Sequence, residues 1–163
     1  MLSVSSFNQH CKGNIITVRG KSDIPCPVCS GFLKVHGTCI RKVRLIDATR
    51  VYRLRVMECT NCHRTHRELP DFIVPYKRYG TEAIIDIVEL PTDQCVCETS
   101  TQEQLKLWIA WFFLYAQNVF ESQKLILGVL TKPDSNSKIE LLKYYVRLVV
   151  NSNFWSQHCY LVT

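Results

Sequence analysis

The chain has 163 residues, of which 47% are apolar and 21% are charged. This composition excludes an intrinsically disordered protein, and the length allows one medium domain or two small ones. The net charge of +6 is concentrated, because residues 34–67 contain nine Lys or Arg and only two acidic residues. Such a basic segment is typical of a surface that binds a phosphate backbone, although cations also offset the charge of a thiolate–metal cluster.

Cysteine usage predicts a reducing compartment. The nine cysteines are an odd number, and the first residues have neither the basic segment nor the apolar core of a secretory signal. We therefore expect a cytoplasmic protein without a disulfide scaffold. No membrane partner is expected either, because the most apolar stretch, residues 107–116, is shorter than the roughly 20 residues that span a bilayer.

Two CxxC pairs, separated by 29 residues, are the strongest motif in the chain. Two cysteines at this spacing can occupy one tight turn, and two such turns can complete a tetrahedral zinc site. Gly31 follows the first pair, where we expect a turn with positive φ. His63 and His66 lie just after the second pair, and the sequence leaves open whether either contributes. The motif predicts one structural zinc ion per chain, with Cys26, Cys29, Cys59 and Cys62 as its ligands.

The segment between the pairs predicts three short strands, at residues 32–37, 41–46 and 51–57. In the third strand Arg53 and Arg55 alternate with apolar residues, so period two places both on one exposed face. A small sheet closed by zinc at one end is a zinc ribbon, and further cations follow it in an extended linker. The predicted nucleic-acid contacts are Arg41, Lys42, Arg44, Arg53, Arg55, Lys77, Arg78 and Lys106.

Three helices are predicted after the linker. The first spans residues 81–90, with Thr81 as its N-cap, and Pro91 ends it. The second spans residues 101–127 after a capping box formed by Ser100 and Glu103. Its apolar middle predicts a buried helix or an oligomer contact. A loop over residues 128–138 precedes the third helix, residues 139–150, which is expected to pack on the second.

These elements predict an α+β fold, in which a small antiparallel zinc ribbon is followed by an all-helical region. Residues 1–23 are interpreted as an N-terminal extension, residues 24–68 as the ribbon and residues 69–80 as a linker. The helical region, residues 81–163, is interpreted as a degenerate helix-turn-helix with additional packing helices.

Several segments resemble known proteins. Residues 26–29, 34–37, 53–66, 69–70 and 74–79 resemble the N-terminal zinc-binding region of insertion-sequence transposases. They resemble more closely a family of short bacterial proteins with a domain of unknown function. In the transposases a helix-turn-helix follows the zinc module, and together they bind the terminal DNA repeats of the element. The resemblance implies that Cys26, Cys29, Cys59 and Cys62 bind zinc. The chain departs from this pattern early in its second helix, where Gln102, Glu103 and Gln104 occupy positions that carry arginines in the relatives.

No motif predicts catalysis. A Gly-rich phosphate loop, a GxSxG elbow and an HExxH helix are absent from the sequence. The predicted function is a non-catalytic, zinc-dependent DNA-binding protein, transposase-derived or associated with a mobile element. The alternative is a module that binds another protein. The expected partners are double-stranded DNA and a second copy of the chain, bound through the 101–127 helix.

Overall fold

The computed structural model describes residues 1–91, 94, 97–127 and 137–155, and residues 128–136 of the predicted loop 128–138 lie outside these ranges. The described residues form six strands followed by three helices. Their bounds are β1 (Leu2–Val4), β2 (Phe7–Lys12), β3 (Ile15–Gly20), β4 (Leu33–Arg44), β5 (Thr49–Cys59), β6 (Thr65–Pro70), α1 (Thr81–Glu89), α2 (Thr99–Leu127) and α3 (Lys138–Asn151).

Strand β5 is the centre of a curled mixed sheet. Strand β4 pairs antiparallel with β5 along one edge, from Arg44↔Thr49 to Leu33↔Cys59. The other edge of β5 is shared between two strands: β3 pairs parallel with its first half, and β6 pairs antiparallel with its last residues. Strand β2 continues the sheet beyond β3, and β1 continues it beyond β6.

The predicted fold, a small antiparallel zinc ribbon followed by an all-helical region, is wrong. Residues 2–20, which were interpreted as part of an extension, contribute three strands to the same sheet. Two of these strands pair in parallel with strands more than 30 residues away in sequence. The predicted strands 32–37 and 41–46 are one continuous strand, β4, with an irregularity between Val35 and Gly37.

Two apolar cores lie on this framework. The inward faces of β3, β4 and β5 bury Val18, Val43 and Leu54 against the segment that follows β6. The three helices form the second and larger core, in which Trp108 stacks on Phe112 with ring centroids 5.0 Å apart. The helical periodicity of the sequence is therefore confirmed, because each predicted helix is present within two residues of its expected bounds.

The predicted helix caps differ from the observed ones. Helix α1 begins after Gly80, and Thr81 lies inside it without a hydrogen-bond partner for its buried hydroxyl among the described residues. Helix α2 begins at Thr99, before the predicted cap Ser100. Its Gln102 side chain is fully buried and donates to the carbonyls of Ile87 and Leu90 at 2.8 Å. Gln102 therefore fixes the C-terminal end of α1 rather than facing solvent.

Polar contacts join the sheet to the helices. The side-chain amide of Asn151 at the end of α3 accepts from the Ser3 backbone amide at 2.8 Å and donates to the Ser3 carbonyl at 2.9 Å. Arg147 donates to the Asp71 carboxylate at 3.1 Å. Asn151 thus pairs with the outer edge of β1 as a neighbouring strand would, which satisfies backbone groups at a sheet edge.

Within the described residues, no helix combines the length and the apolar character that crossing a membrane requires.

Candidate metal centre and basic sheet face

The two CxxC pairs form two turns with the same backbone geometry, which we call the knuckles (residues 26–31 and 59–64). In each knuckle the amide of the first cysteine donates to the carbonyl five residues later, and its carbonyl accepts from the amide four residues later, over 2.8–3.1 Å. The residue after the second cysteine has a left-handed backbone, at Ser30 (φ 57°) and His63 (φ 56°). The expectation of positive φ at Gly31 is wrong by one residue.

The four cysteine sulfurs lie together between the knuckles. All four Sγ atoms are within 4.8 Å of one another. The Sγ atoms of Cys26 and Cys62 are 3.7 Å apart, and those of Cys29 and Cys59 are 3.4 Å apart. Four sulfurs at about 2.3 Å from a central ion form a tetrahedron with edges of about 3.8 Å. The cluster could therefore hold one metal ion with little rearrangement.

The electrostatics of the cluster favour a bound cation. Hydrogen bonds from the backbone amides of Cys62 and Asn61 lower the pKa of Cys59 to about 6, although burial opposes this. The backbone of Gly31 acts on Cys29 in the same direction, but its contacts with the other cysteines raise the pKa of its thiol to about 12. The raised pKa of Cys29 shows the cost of a further thiolate in this cluster, and a bound metal ion would offset that cost because it stabilises its sulfur ligands as thiolates.

Gly31 is required by the close approach of the two knuckles. A Cβ atom at this position would lie 2.8 Å from Cγ and 3.0 Å from Cβ of Asn61 in the other knuckle. The backbone amide of Asn61 in turn donates to Cys59 Sγ at 3.4 Å. A shift of the Asn61 backbone would therefore displace the Cys59 sulfur.

We predict that Gly31→Ala lowers metal affinity about tenfold or more, the range seen when groups that support metal ligands are lost. Competition with a metal chelator at neutral pH measures the change. Gly37→Ala is the matched control, because a Cβ atom there meets nothing within 4 Å. Equal affinities for the two variants would contradict the role assigned to Gly31.

His66 contacts the cysteine cluster, and His63 does not. His66 is buried, and its Nε2 atom lies 3.4 Å from Cys26 Sγ. Its Nδ1 atom lies 3.2 Å from the α-amino group of Met1. Burial and that neighbouring charge lower the pKa of His66, so a neutral ring can donate from Nε2 to the Cys26 sulfur, as outer groups around metal ligands do. His63 is exposed and lies 3.9 Å from Glu58.

Three of the predicted nucleic-acid contacts already donate hydrogen bonds inside the protein, and one of them is Arg44, which donates to the Tyr79 hydroxyl at 3.2 Å. Arg55 makes a two-pronged ion pair with Glu68 at 2.6 and 2.8 Å, and it also donates to the Gly20 carbonyl. Arg41 donates to the carbonyls of Val74 and Lys77, and burial lowers the pKa of its guanidinium. Arg55 therefore joins β5 to β6 and to the end of β3, and Arg41 joins β4 to the segment after β6.

The other predicted contacts are divided between the sheet and the helices. Lys77 is half-buried, with its ammonium 5.2 Å from the centre of the Trp108 ring, and burial lowers its pKa. Arg78 is exposed beside the end of β4, where its carbonyl accepts from the Arg44 amide. Lys106 is partly exposed on α2.

The remaining cations share the outer face of the sheet. Period two and the strand register place Arg53 beside Thr17 on one side and Ile40 on the other, on the face opposite the sheet core. The same register places two cations of the β2–β3 hairpin there, and these line a groove with Arg53. We define the basic sheet face as Lys12, Arg19, Lys42, Arg44 and Arg53.

This face carries no balancing acid. None of its five cations forms an ion pair with a residue that the structure describes, and no Asp or Glu occupies an outward position of β2 or β3, or of β5 up to Arg53. Lys12 and Arg19 were not predicted as contacts, although a hairpin with its turn at residues 13–14 pairs Lys12 with Ile15 and so places Lys12 and Arg19 on one face. Only the parallel pairing of β3 with β5 brings them beside Arg53.

The fold and the cysteine cluster define the class: a mixed α/β protein with a four-cysteine site that could bind a metal ion. Residues 26–108 match the family described as Domain of unknown function (DUF6431), and the chain belongs to that family. The matched segment begins at the first cysteine of the cluster and ends within α2. Neither a curated protein nor a solved structure matches this chain.

The family match bears on the resemblance drawn from the sequence. It supports membership of a family with a domain of unknown function. Nothing in it links the chain to transposases.

Proposed function

We propose that this chain is a non-catalytic protein that binds double-stranded DNA through the basic sheet face and that uses one structural zinc ion. The observation that supports this proposal is the set of five cations on one curled face without acidic partners among the described residues. Unpaired cations on a shared surface neutralise phosphates and release counterions, which is the main source of nonspecific DNA affinity. The origin in a mobile element, inferred from the sequence resemblance, is part of this proposal.

Duplex DNA fits this face better than a single strand does. Proteins that bind single strands stack bases on aromatic side chains. The outward positions of β2 and β3 and the facing part of β4 and β5 carry Asn, His, Lys, Ile, Thr, Arg and Val, without Phe, Tyr or Trp. The aromatic ring beside these positions is Tyr79, and Arg44 already lies over it, 5.6 Å from its centre. The strand positions therefore offer charge without a stacking surface of their own, which suits a backbone whose bases are already stacked.

The metal centre supports the same face from one end. Strand β4 begins two residues after the first knuckle, and β5 ends at Cys59 inside the second. The pair Leu33↔Cys59 is the last of the ladder between them. A tetrahedral ion bound by the four thiolates would fix the two strands that carry Lys42, Arg44 and Arg53. Four sulfur ligands also suit iron, so elemental analysis of the purified protein tests the choice of zinc.

We predict that the double variant R19E/R53E weakens binding to random-sequence duplex DNA and lowers the slope of log Kd against log salt by about two, because about one unit is lost with each phosphate contact. Fluorescence anisotropy at several salt concentrations measures both quantities. Because phosphate contacts position a protein without reading bases, the loss should be similar for unrelated sequences.

The control is Lys138→Glu, which reverses one exposed cation at the start of α3 that pairs with Glu89 at 2.7 Å, so its change in net charge is half that of R19E/R53E. It should leave the slope unchanged. A wild-type protein that does not bind duplex DNA at low salt, or that prefers single strands, would contradict the proposal. If Lys138→Glu and R19E/R53E changed the affinity and the salt slope equally, the change would reflect net charge alone.

A second candidate function is a module that binds another protein. It is favoured by apolar side chains beside the first knuckle: Phe32 is 87% exposed and Val35 is 57% exposed, with Val28 also exposed. Aromatic residues exposed near a rigid turn are common in protein interfaces. Loss of DNA binding in all conditions, together with a partner whose capture depends on Phe32, would favour this candidate.

A further inference from the structure

Helix α2 has an exposed face that none of the described elements covers. It spans 29 residues, and its buried side holds Trp108 and Phe112. On the opposite side Leu107 and Leu114 are each 67% exposed, and Leu125 is 88% exposed. At 100° per residue these three leucines lie within about 20° of one line along the helix. Exposed Asn118 lies on the same line between Leu114 and Leu125. Apolar side chains aligned on the exposed side of a helix are typical of an interaction site.

Charges border this apolar line on one flank. Glu103 and Glu121 are 18 residues apart, which is five full turns, so they lie on one line. Lys106 and Lys124 have the same spacing and lie on a second line beside it. None of the four forms an ion pair with a residue in the described ranges. The flank therefore carries a glutamate followed by a lysine near each end of the exposed face.

This arrangement is complementary to itself when reversed. In an antiparallel pair, each flank faces the same flank of the other helix. A two-fold axis between residues 113 and 114 places Glu103 opposite Lys124 of a second copy, and it places Lys106 opposite Glu121 of that copy. A single register satisfies both pairings, because the midpoint between positions 103 and 124 is also the midpoint between positions 106 and 121. A parallel pair has no such match, because the other flank carries uncharged residues, including Gln104 and Ser122.

We infer that a second copy of this chain packs antiparallel on the exposed face of α2. Leu114 is buried beside the two-fold axis at the centre of the contact, with Leu107 farther along the helix, and four intermolecular ion pairs fix its register. Between Glu103 and Lys124 the contact runs along about 32 Å of helix. This inference does not depend on DNA binding, because the basic sheet face and the α2 face share no residue.

The test measures the mass of the intact, metal-loaded protein by light scattering and sedimentation equilibrium at several concentrations. We expect twice the mass of the 18.9 kDa chain. Leu114→Asp should give a monomer with unchanged helical circular dichroism, because Leu114 is exposed in the single chain. A monomeric wild type at 100 µM would overturn the inference and would assign the face to a different partner.

A charge exchange tests the register and does not depend on the behaviour of the Leu114 variant. Lys106→Glu places like charges opposite each other in both copies, and it should raise the dimer dissociation constant by about fivefold to twentyfold. The double variant K106E/E121K restores opposite charges only in the antiparallel register, and it should return the dissociation constant to within about twofold of wild type. Absence of this recovery would overturn the antiparallel arrangement.

Discussion

Removal of the metal ion, or the substitution Cys59→Ser, is expected to unfold the knuckle end of the sheet and leave the helical core folded. Structural zinc contributes about 10–16 kcal/mol of apparent binding energy in small domains, so its loss exceeds the stability of most local elements. The helical core gains nothing directly from the knuckles, because no residue between 24 and 66 belongs to it. The helical circular dichroism should therefore change little, while amide exchange should accelerate in residues 24–34 and 59–66.

The experiment compares Cys59→Ser with Cys11→Ser. Cys11 is an exposed cysteine on β2, outside the metal cluster, so its replacement controls for the loss of a thiol. Wild type and Cys11→Ser should each carry about one zinc ion, and Cys59→Ser should lose more than about 100-fold in affinity, beyond the effect of an outer group. Protein purified without chelators that contains no metal, or a Cys59→Ser variant that keeps its metal, would contradict the site.

The clustering of the four cysteines could be predicted from the sequence because its signal is local. A CxxC turn brings two sulfurs together whatever the rest of the chain does, and the geometry of each knuckle is set by hydrogen bonds within six residues. The three helices could be predicted for the same reason, since apolar periodicity is read within one segment. The role of Gln102 could not be predicted from the sequence, because the carbonyls to which its side chain donates lie at the end of α1 rather than in its own helix.

The sheet was mispredicted because its pairings are long-range. Period two identifies a strand but does not identify its neighbour. Strand β1 pairs with β6, about 65 residues later in the sequence. Strand β3 pairs with β5, although the first knuckle lies between them in the sequence. Because of these parallel pairings, the strands form a curled mixed sheet instead of the predicted zinc ribbon. They also decide which cations lie together, which is why Lys12 and Arg19 were missed.

Two arginines that alternate on one strand, Arg53 and Arg55, illustrate the same limit. The alternation correctly places them on one side of β5. Their neighbours differ, because Glu68 and Gly20 lie beside Arg55, whereas Thr17 and Ile40 flank Arg53. Arg55 is consequently part of the framework, and Arg53 is available to a ligand.

Arg55→Ala is therefore expected to lower stability, whereas Arg53→Ala is expected to weaken DNA binding. Arg55→Ala leaves the Glu68 carboxylate, whose side chain is 6% exposed, buried without its cation. Removing one partner of a buried ion pair costs about 3–5 kcal/mol, so the urea midpoint should fall strongly at pH 7. Arg53→Ala removes no internal ion pair among the described residues, and a surface change of this kind stays within about 0.5 kcal/mol. It should instead weaken DNA binding and lower the salt slope by about one.

The double variant R55M/E68L separates the ion pair from the packing around it. Replacing a buried pair by apolar side chains of similar volume is often neutral, so this variant should be more stable than Arg55→Ala. Its Arg53 remains, and its salt slope for DNA should match that of wild type if Arg55 contacts no phosphate. A lower salt slope in folded R55M/E68L protein would show that Arg55 also contacts DNA. Stability losses of similar size in Arg53→Ala and Arg55→Ala would contradict the division of roles between the two arginines.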